Sequence, residues 1–497
     1  MFQGSKTEKE LNYRPFPFEA SSIHSVILTH AHIDHSGLLP KLVKAGFDGA
    51  IFCTAPTLDL CAIMLQDSGH IQESEVEQLN RRNRRRARDA LEPIYTVEDA
   101  RAAMVQFRAV AYKEWQEGQG GLRFRVWDAG HLLGSASVEI ELPASNGPIR
   151  ILFSGDVGPA HKLLQSPPEA PQGFDYLICE STYGDRERLD VSEKDRREQL
   201  RQILSKAYHQ NGALLVPSFA VERTQELLAD FNALMDAGEL LRCPIIIDSP
   251  LASRATEIFK RHARSLSNGD LLMNALRSRT VRFTESAEQS KAVDLISGFH
   301  IVIAASGMCE AGRIRHRLKN WLWRDEGTVL LVGFQAQGTL GRILQDGART
   351  VKIQGEEIVV RAAIRSIEAY SGHADATELV DWVAARKPIR SGLFLVHGEP
   401  VAIDGLKDRL SAAIPAATMI TPSLDSGYRL TKTGAVEVLR AAPPPRLSAE
   451  QVGHRDWHND YQSVVLDLEE KLRQAADQKG RAVILRKVRR ALQEEAS

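Results

Sequence analysis

The sequence SVILTHAHIDHSG, residues 25–37, places three histidines and one aspartate directly after a short apolar run. The apolar residues 26–28 predict a buried strand, and the polar residues then lie in the loop that follows it. Imidazole nitrogens and carboxylate oxygens suit zinc, and no nearby cysteine indicates an iron–sulfur or copper site. The stretch therefore predicts a metal site at the end of a strand.

The spacing of these four residues decides how they can bind metal. Positions i, i+2, i+4 and i+5 cannot share one face of a helix, whereas a loop leaving a strand can separate them. His30 and His32 can then reach one ion while Asp34 and His35 turn toward a second. A polar loop without a metal is the alternative interpretation.

Four more apolar strands end in residues that can bind metal or transfer protons. Three of them lead to His131, Asp156 and Glu180, and the strand at residues 392–396 leads to His397. Open α/β sheets place their functional sites at the carboxyl ends of strands. Taken singly, each of these residues is equally compatible with a structural role in a turn.

Length and composition predict more than one domain and no strong electrostatic bias. A chain of 497 residues exceeds one ordinary core, so two domains and an extension are expected. Hydrophobic residues make up 43% and charged residues 26%, which are ordinary values for a globular protein. The net charge is −1, so a nucleic-acid partner would need a local basic groove.

The cysteines and the hydropathy pattern predict a cytoplasmic protein without a membrane segment. Five scattered cysteines give no disulfide framework, which is typical of a reducing compartment: Cys53, Cys61, Cys179, Cys243 and Cys309. No apolar run approaches the roughly 18 residues that a membrane span needs, and no export signal is recognisable. Six arginines within residues 81–88 indicate either a solvated helix or a phosphate contact.

The motifs resemble those of a known family. The pattern His30-x-His32-x-Asp34-His35 resembles the signature of the metallo-β-lactamase hydrolases. The segments ESTYG (180–184), SGHAD (371–375) and VHGE (396–399) resemble the motifs of their nucleic-acid branch, the β-CASP nucleases. Within that branch the chain is most similar to bacterial and archaeal relatives of the endonuclease subunit of the pre-mRNA cleavage machinery, over roughly residues 1–440.

The resemblance implies an α/β fold with a metallo-β-lactamase αββα sandwich and an inserted β-CASP domain with its own parallel sheet. We expect residues 1–188 and 369–440 to form the sandwich and residues 189–368 the insert. Residues 441–497 are expected to form a proline linker and a helical extension for self-association or a partner protein. The family's first strands precede the segment FQG, residues 2–4, so the sandwich is expected to lack them.

The resemblance also implies a site with two zinc ions. The ligands are His30, His32 and His131 for the first ion, Asp34, His35 and His397 for the second, and Asp156 for both. We expect Asp34, Glu180 and His373 to be the catalytic residues. Ser371 and Ser306 are expected to hold a phosphate oxygen, and Arg313 and Arg342, in Gly-Arg loops, to contact the polynucleotide backbone; plain tight turns are the alternative for those loops.

The function implied is that of a zinc-dependent ribonuclease acting on single-stranded RNA in RNA processing or decay. A water acidified between two zinc ions would attack phosphorus, and His373, oriented by Glu180, would protonate the leaving 3′-oxygen. Internal cleavage and cleavage from an end are both compatible with the motifs. A small-molecule hydrolase of the same fold and a non-catalytic RNA-binding relative are the alternatives.

Overall fold

The structure is a computed structural model that describes residues 1–2, 11–84, 89–188, 192–336, 338–439, 468, 471–472 and 478–494. Among these residues no helix is long and apolar enough to cross a membrane. The predicted proline linker lies outside the described residues, as do Arg85, Arg86 and Arg88 of the arginine run and much of the predicted helical extension.

The strands of the described residues form three larger sheets and two hairpins. Their bounds are β1 Ser25–Ile27, β2 Ala50–Thr54, β3 Phe107–Val110, β4 Gln116–Glu117, β5 Arg123–Asp128, β6 Ala136–Leu142, β7 Ile149–Phe153, β8 Phe174–Glu180, β9 Ala213–Pro217, β10 Ile245–Ile247, β11 Val281–Phe283, β12 His300–Ala304, β13 Thr328–Val332, β14 Thr350–Ile353, β15 Glu356–Val359, β16 Ala363–Ile367, β17 Ile389–Val396, β18 Met419–Ile420, β19 Gly427–Thr431 and β20 Gly434–Leu439.

The α-helices of the described residues flank these sheets. Their bounds are α1 Ile33–Ser36, α2 Leu39–Lys44, α3 Ala55–Arg84, α4 Val97–Ala103, α5 Glu193–Gln210, α6 Arg223–Asp236, α7 Pro250–Arg261, α8 Gly269–Arg277, α9 Ala287–Ala292, α10 Ile314–Trp321, α11 Leu340–Gln345, α12 Ala376–Ala384, α13 Pro400–Leu410 and α14 Gln478–Glu494. Helix α14 confirms the helix predicted near the end of the chain.

Two sheets and their helices form a four-layered sandwich. The first sheet is parallel with β2 in the centre, and Ile51 and Leu60 pack in the core between this sheet and its helices. The second sheet has the order β18-β17-β8-β7-β6-β5-β4, and Leu379 of α12 packs in the core on its outer face. The two sheets meet where the rings of Phe52 and Phe124 lie 5.2 Å apart. This arrangement confirms the predicted αββα architecture.

The third sheet belongs to a segment between β8 and β17, which are neighbours in the second sheet. It is parallel throughout, with the order β11-β10-β12-β9-β13-β16. Strand β12 is fully buried, because Ile301 and Ile303 pack in one core and Val302 and Ala304 in another. Strands covered on both faces read as continuous apolar runs. The predicted parallel-sheet insert is thus present, while its boundaries at 189 and 368 stay a prediction.

A buried carboxylate joins the insert to the sandwich. Glu222, just before α6, accepts a hydrogen bond from the backbone N–H of Leu133 at 3.1 Å and from Nε2 of Gln165 at 2.9 Å. The ammonium group of Lys162 lies 3.5 Å from Glu222 Oε1, and it also donates to the carbonyl oxygen of His131. Glu222, Leu133 and Gln165 are buried, and the side chain of Lys162 is 4% exposed. The insert therefore holds the loop that carries the predicted ligand His131.

We expect Glu222→Ala to destabilise the protein, because the substitution leaves a backbone N–H and the Lys162 charge buried without their acceptor. Losses of about 2–5 kcal/mol in the free energy of unfolding are typical of such changes. Urea unfolding measures the loss, and hydrogen exchange of the segment around Leu133 locates it. Glu222→Gln should lose less, because its amide oxygen still accepts the N–H bond.

The matched control for this prediction is Glu257→Ala, since Glu257 pairs with Lys260 on the surface and its side chain is 67% exposed. Exposed pairs contribute about 1 kcal/mol or less. The role of Glu222 is contradicted if Glu222→Ala is no more destabilising than this control.

Candidate metal centre

The loop after β1 separates the four polar residues of the opening motif into two pairs. His30 and His32 come before α1, and Asp34 and His35 lie within that single helical turn. The hydroxyl of Ser36 donates to the carbonyl oxygens of Ala31 and His32 at 2.9 and 3.0 Å, which fixes the turn. The sequence predicted a loop here, and the short helix is a difference that this local hydroxyl bonding explains.

The four residues that the sequence assigned to the first ion converge on one point. His32 Nδ1 lies 3.2 Å from His30 Nε2 and 3.0 Å from His131 Nε2. Asp156 Oδ2 lies 3.4 Å from His30 Nε2 and 3.5 Å from His131 Nε2. Two ligands of a tetrahedral zinc lie about 3.4 Å apart when each bond is about 2.1 Å long. The spacing of these atoms is therefore that of a tetrahedral ligand set.

A second set meets the other oxygen of the same aspartate. Asp156 Oδ1 lies 3.3 Å from His35 Nε2 and 3.6 Å from His397 Nδ1. Asp34 Oδ2 lies 3.7 Å from His35 Nε2 and 3.4 Å from His397 Nε2. Each oxygen of Asp156 thus faces a different ligand set, which is the arrangement of a bridging carboxylate.

The polar atoms at the centre of both sets fit a bound cation. Both carboxylate oxygens of Asp156 and Nε2 of His35 are buried without a hydrogen-bond partner in the described part of the chain. Burying an unpaired carboxylate is costly unless a charge of opposite sign or a metal ion compensates it. The donor set of nitrogen and oxygen atoms suits zinc.

The charges of the buried groups favour metal binding as well. Burial lowers the pKa of His32 and His131 well below the usual value, which favours the neutral imidazole that coordinates metals. Burial opposes ionisation of Asp156, but the surrounding histidines hold its pKa well below the usual value. Desolvation lowers the pKa of His397, whose side chain is 35% exposed, but the carboxylates of Asp156 and Asp34 outweigh it and raise that pKa to about 10. The negative charge that binds a proton there also attracts a cation.

Backbone geometry at the end of β17 aims His397 at the centre. His397 has φ of +53°, a left-handed conformation that is uncommon outside glycine. The N–H of Ser181 donates to the His397 carbonyl at 3.1 Å, and a Cβ at Gly398 would lie 2.6 Å from the carbonyl oxygen of Ser181. Unusual backbone conformations of this kind cluster at functional sites.

Neighbouring groups orient the histidine ligands. The carbonyl oxygen of Gly372 lies 2.8 Å from His131 Nδ1, so Nδ1 carries the proton and Nε2 is free to coordinate. The hydroxyl of Thr29 lies 3.2 Å from His30 Nδ1. Sequence reasoning did not single out Thr29 or Gly372, although both lie within or beside the quoted motifs.

A carboxylate and a histidine form a pair beside the first ligand set. Glu180 is buried and accepts bonds from the backbone N–H groups of Val157 at 2.6 Å and Thr182 at 3.2 Å. Its oxygens lie 3.2 and 3.3 Å from His373 Nδ1. Burial by itself lowers the pKa of His373, but the charges of Glu180 and Asp156 outweigh it and raise that pKa. Nε2 of His373 then faces the centre, 3.9 Å from Asp156 Oδ2.

Of the two predicted phosphate-binding serines, one lies at the centre. Ser371 is buried, its hydroxyl lies 3.3 Å from the hydroxyl of Tyr183, and it accepts from the N–H of His373 at 3.4 Å. Ser306 lies in the insert, where its hydroxyl accepts from the N–H of Glu310 at 3.1 Å. Ser306 thus shapes its own turn, and its contact with phosphate stays a prediction.

Both predicted phosphate-binding arginines have partners within the protein. Arg313 donates to Asp248 Oδ1 at 3.0 Å and to the hydroxyl of Thr284 at 2.8 Å. Arg342 donates to both carboxylate oxygens of Asp346 at 2.9 Å, one helical turn away. A phosphate would have to compete with these carboxylates, so RNA contacts at the two arginines stay predictions.

Comparison with known proteins identifies three parts of the chain. Residues 15–193 match the metallo-beta-lactamase superfamily, residues 224–344 the Beta-Casp domain, and residues 357–420 the Zn-dependent metallo-hydrolase RNA specificity domain. The matches occur in the predicted order and confirm the predicted fold class.

Several curated proteins are similar over most of the chain. Ribonuclease TTHA0252 of Thermus thermophilus is 35% identical over 80% of this chain and 86% of its own length. The RNase J-like protein of Methanocaldococcus jannaschii is 29% identical over 76% of this chain and 82% of its own length. The transcription termination factor FttA of Pyrococcus abyssi is 29% identical over 81% of this chain, which spans only 62% of that relative. The chain therefore belongs to the β-CASP nuclease family of the metallo-β-lactamase superfamily.

Proposed function

We propose that this protein is a zinc-dependent ribonuclease that hydrolyses phosphodiester bonds of single-stranded RNA. The observation that carries the proposal is the position of Asp156, whose two oxygens face two different ligand sets. The match to an RNA specificity domain and the relative named a ribonuclease support RNA as the substrate. We assign two zinc ions to the two sets and place the enzyme in the cytoplasm, since all five cysteines are unpaired.

The chemistry divides between the metal centre and the residues beside it. Two zinc ions bound there would supply Lewis-acid chemistry, namely an acidified water and positive charge for the phosphate oxygens. Asp156 fixes the distance between the two ligand sets, because one of its oxygens belongs to each set. Ser371, buried next to His373, can donate a hydrogen bond to a phosphate oxygen.

His373 protonates the leaving 3′-oxygen in this proposal. Glu180 accepts from Nδ1 of His373, and a carboxylate held by two backbone N–H groups keeps that ring in one orientation. Nε2 is then the atom that can deliver a proton at the centre. Asp156, Glu180 and His373 could also hold a metal ion between them. The bonds that Glu180 already accepts favour the proton-transfer role.

Single strands suit this centre better than duplexes. RNA nucleases that read single strands admit splayed bases next to the backbone that they cleave. Glu222 of the insert and Gln165 of the sandwich form a hydrogen bond beside the loop of His131. A substrate must therefore reach the metal ligands past the junction of these two parts, which a thin single strand does most readily.

The first test is incubation of the zinc-loaded protein with single-stranded RNA labelled at either end. We expect cleavage that a chelator abolishes and added zinc restores, with a product ladder from both labels for an endonuclease or mononucleotides from one label for an exonuclease. Asp156→Ala should abolish cleavage and lower zinc content. Asp236→Ala, in an exposed pair with Arg242, is the matched control that should retain both.

Two results would contradict the proposal. Hydrolysis of a thioester or lactam with RNA left intact would indicate a small-molecule hydrolase. Stoichiometric RNA binding without turnover by the zinc-loaded protein would indicate a non-catalytic RNA-binding relative.

His373→Ala tests the proton-transfer role separately. Removing a general acid typically lowers kcat about 10²- to 10⁴-fold, and zinc content should stay at two ions because His373 is outside both ligand sets. Single-turnover cleavage and metal analysis measure the two quantities. His209→Ala, an exposed histidine of α5, is the control. Loss of a zinc ion in His373→Ala would instead assign His373 as a ligand.

A further inference from the structure

An open cavity of about 190 Å³ adjoins the second ligand set. Its lining includes His397 of the second ligand set, Thr182, Phe334 and Arg186. A phosphate held at the metal centre would therefore have its neighbouring nucleotide beside this cavity. The ribonuclease activity proposed above assigns no role to Phe334 or Arg186.

Phe334 is an aromatic ring outside the hydrophobic cores of the described residues. It is partly buried, yet it packs in none of the core clusters of the sandwich or the insert. Its ring contacts Tyr183 edge-on, with centroids 5.9 Å apart and planes at 78°. A large aromatic group that lines an open cavity without joining a core is available for a ligand.

The backbone before Phe334 is held in place from the insert. Arg223 Nη1 donates to the carbonyl oxygen of Val332 at 2.5 Å. Gly333 has φ of +84°, and a Cβ there would lie 2.4 Å from Arg223 Nη1. The left-handed backbone at Gly333 favours glycine, and Arg223 holds the backbone that leads into Phe334.

Arg186 supplies a planar cation on the same side of the cavity. Its guanidinium carbon lies 6.0 Å from the centroid of the Phe334 ring. Its side chain is 47% exposed, and its carboxylate contact, with Asp185, is 3.7 Å long. Such an exposed pair is weak and leaves the guanidinium free to move. Unpaired nucleobases stack on aromatic rings and on arginine planes.

We propose that Phe334 and Arg186 form a nucleobase subsite, in which the base next to the scissile phosphate stacks on the Phe334 ring with the Arg186 guanidinium beside it. The inference rests on the proposed ribonuclease function and specifies how its substrate is held. Stacking on an aromatic ring and an arginine plane requires a base that has left its own stack. The subsite therefore favours unpaired nucleotides at the cleavage position and tolerates any base, because every base has a π-face.

The test combines a change in the protein with a change in the RNA. Phe334→Leu keeps an apolar side chain and removes the ring, and we expect KM to rise about tenfold, within the range for losing one stacked base, with kcat nearly unchanged. Phe334→Trp should retain the wild-type KM. For the wild-type protein, an RNA with one abasic nucleotide beside the cleavage site should have a KM raised by a similar factor. With this abasic RNA, Phe334→Leu should raise the KM no further.

Controls separate stacking from damage to the fold. Phe18→Leu removes an exposed ring that does not line the cavity. It should leave the KM unchanged for both the intact and the abasic RNA. Zinc content and urea unfolding of Phe334→Leu should equal those of the wild type. The subsite is contradicted if the increases in KM caused by Phe334→Leu and by the abasic nucleotide multiply. It is also contradicted if Phe334→Leu leaves KM unchanged, or if Phe334→Trp raises KM as much as Phe334→Leu does.

Binding measurements keep the subsite and the proposed function distinguishable. The probe is a fluorescently labelled phosphorothioate oligoribonucleotide that resists hydrolysis, made with and without the abasic position. Its fluorescence anisotropy measures the Kd for the zinc-loaded protein. If the wild type cleaves no RNA but binds this probe with the same dependence on Phe334 and the base, the function is wrong and the subsite stands. If RNA is cleaved and probe binding ignores Phe334, the function stands and the subsite is wrong; if the probe does not bind, both are wrong.

Discussion

The structure depends on a buried carboxylate whose two oxygens accept no hydrogen bond in the described part of the chain. Asp156 lies at the meeting point of two ligand sets, and five histidine side chains lie within 3.9 Å of its oxygens. A carboxylate in such a place is costly unless cations compensate it. Metal ions bound there would return free energy to folding, because they would satisfy atoms that have no hydrogen-bond partner among the described residues.

Two sheets and an insert bring these residues together from distant parts of the chain. His397 leaves the end of β17 in a strained conformation, and Glu180 ends the neighbouring strand β8. The insert contributes Glu222, which bonds to the loop of His131 and so connects the position of the insert to the metal centre. The same junction leaves the cavity lined by Phe334 open at the edge of the centre.

The sequence predicted which side chains come together, because each of them follows a strand in a short motif. The role of residues that share a motif, such as His30 and His35, can be predicted from the sequence around them. Contacts between distant segments carry no such pattern: Glu222 bonds to a residue 89 positions earlier, and nothing near Phe334 indicates an open cavity. Arg313 shows the same limit, since its Gly-Arg loop predicts phosphate binding while the sequence does not show that Asp248, 65 positions earlier, accepts a hydrogen bond from its guanidinium.

The account requires that Asp156 bridge two metal ions, and anomalous diffraction at the zinc absorption edge from crystals of the zinc-loaded protein measures this directly. We predict two peaks about 3.5–4 Å apart, one on each side of the Asp156 carboxylate, with His32 near one and His35 near the other. A single peak, or two peaks that do not share Asp156, would contradict the account.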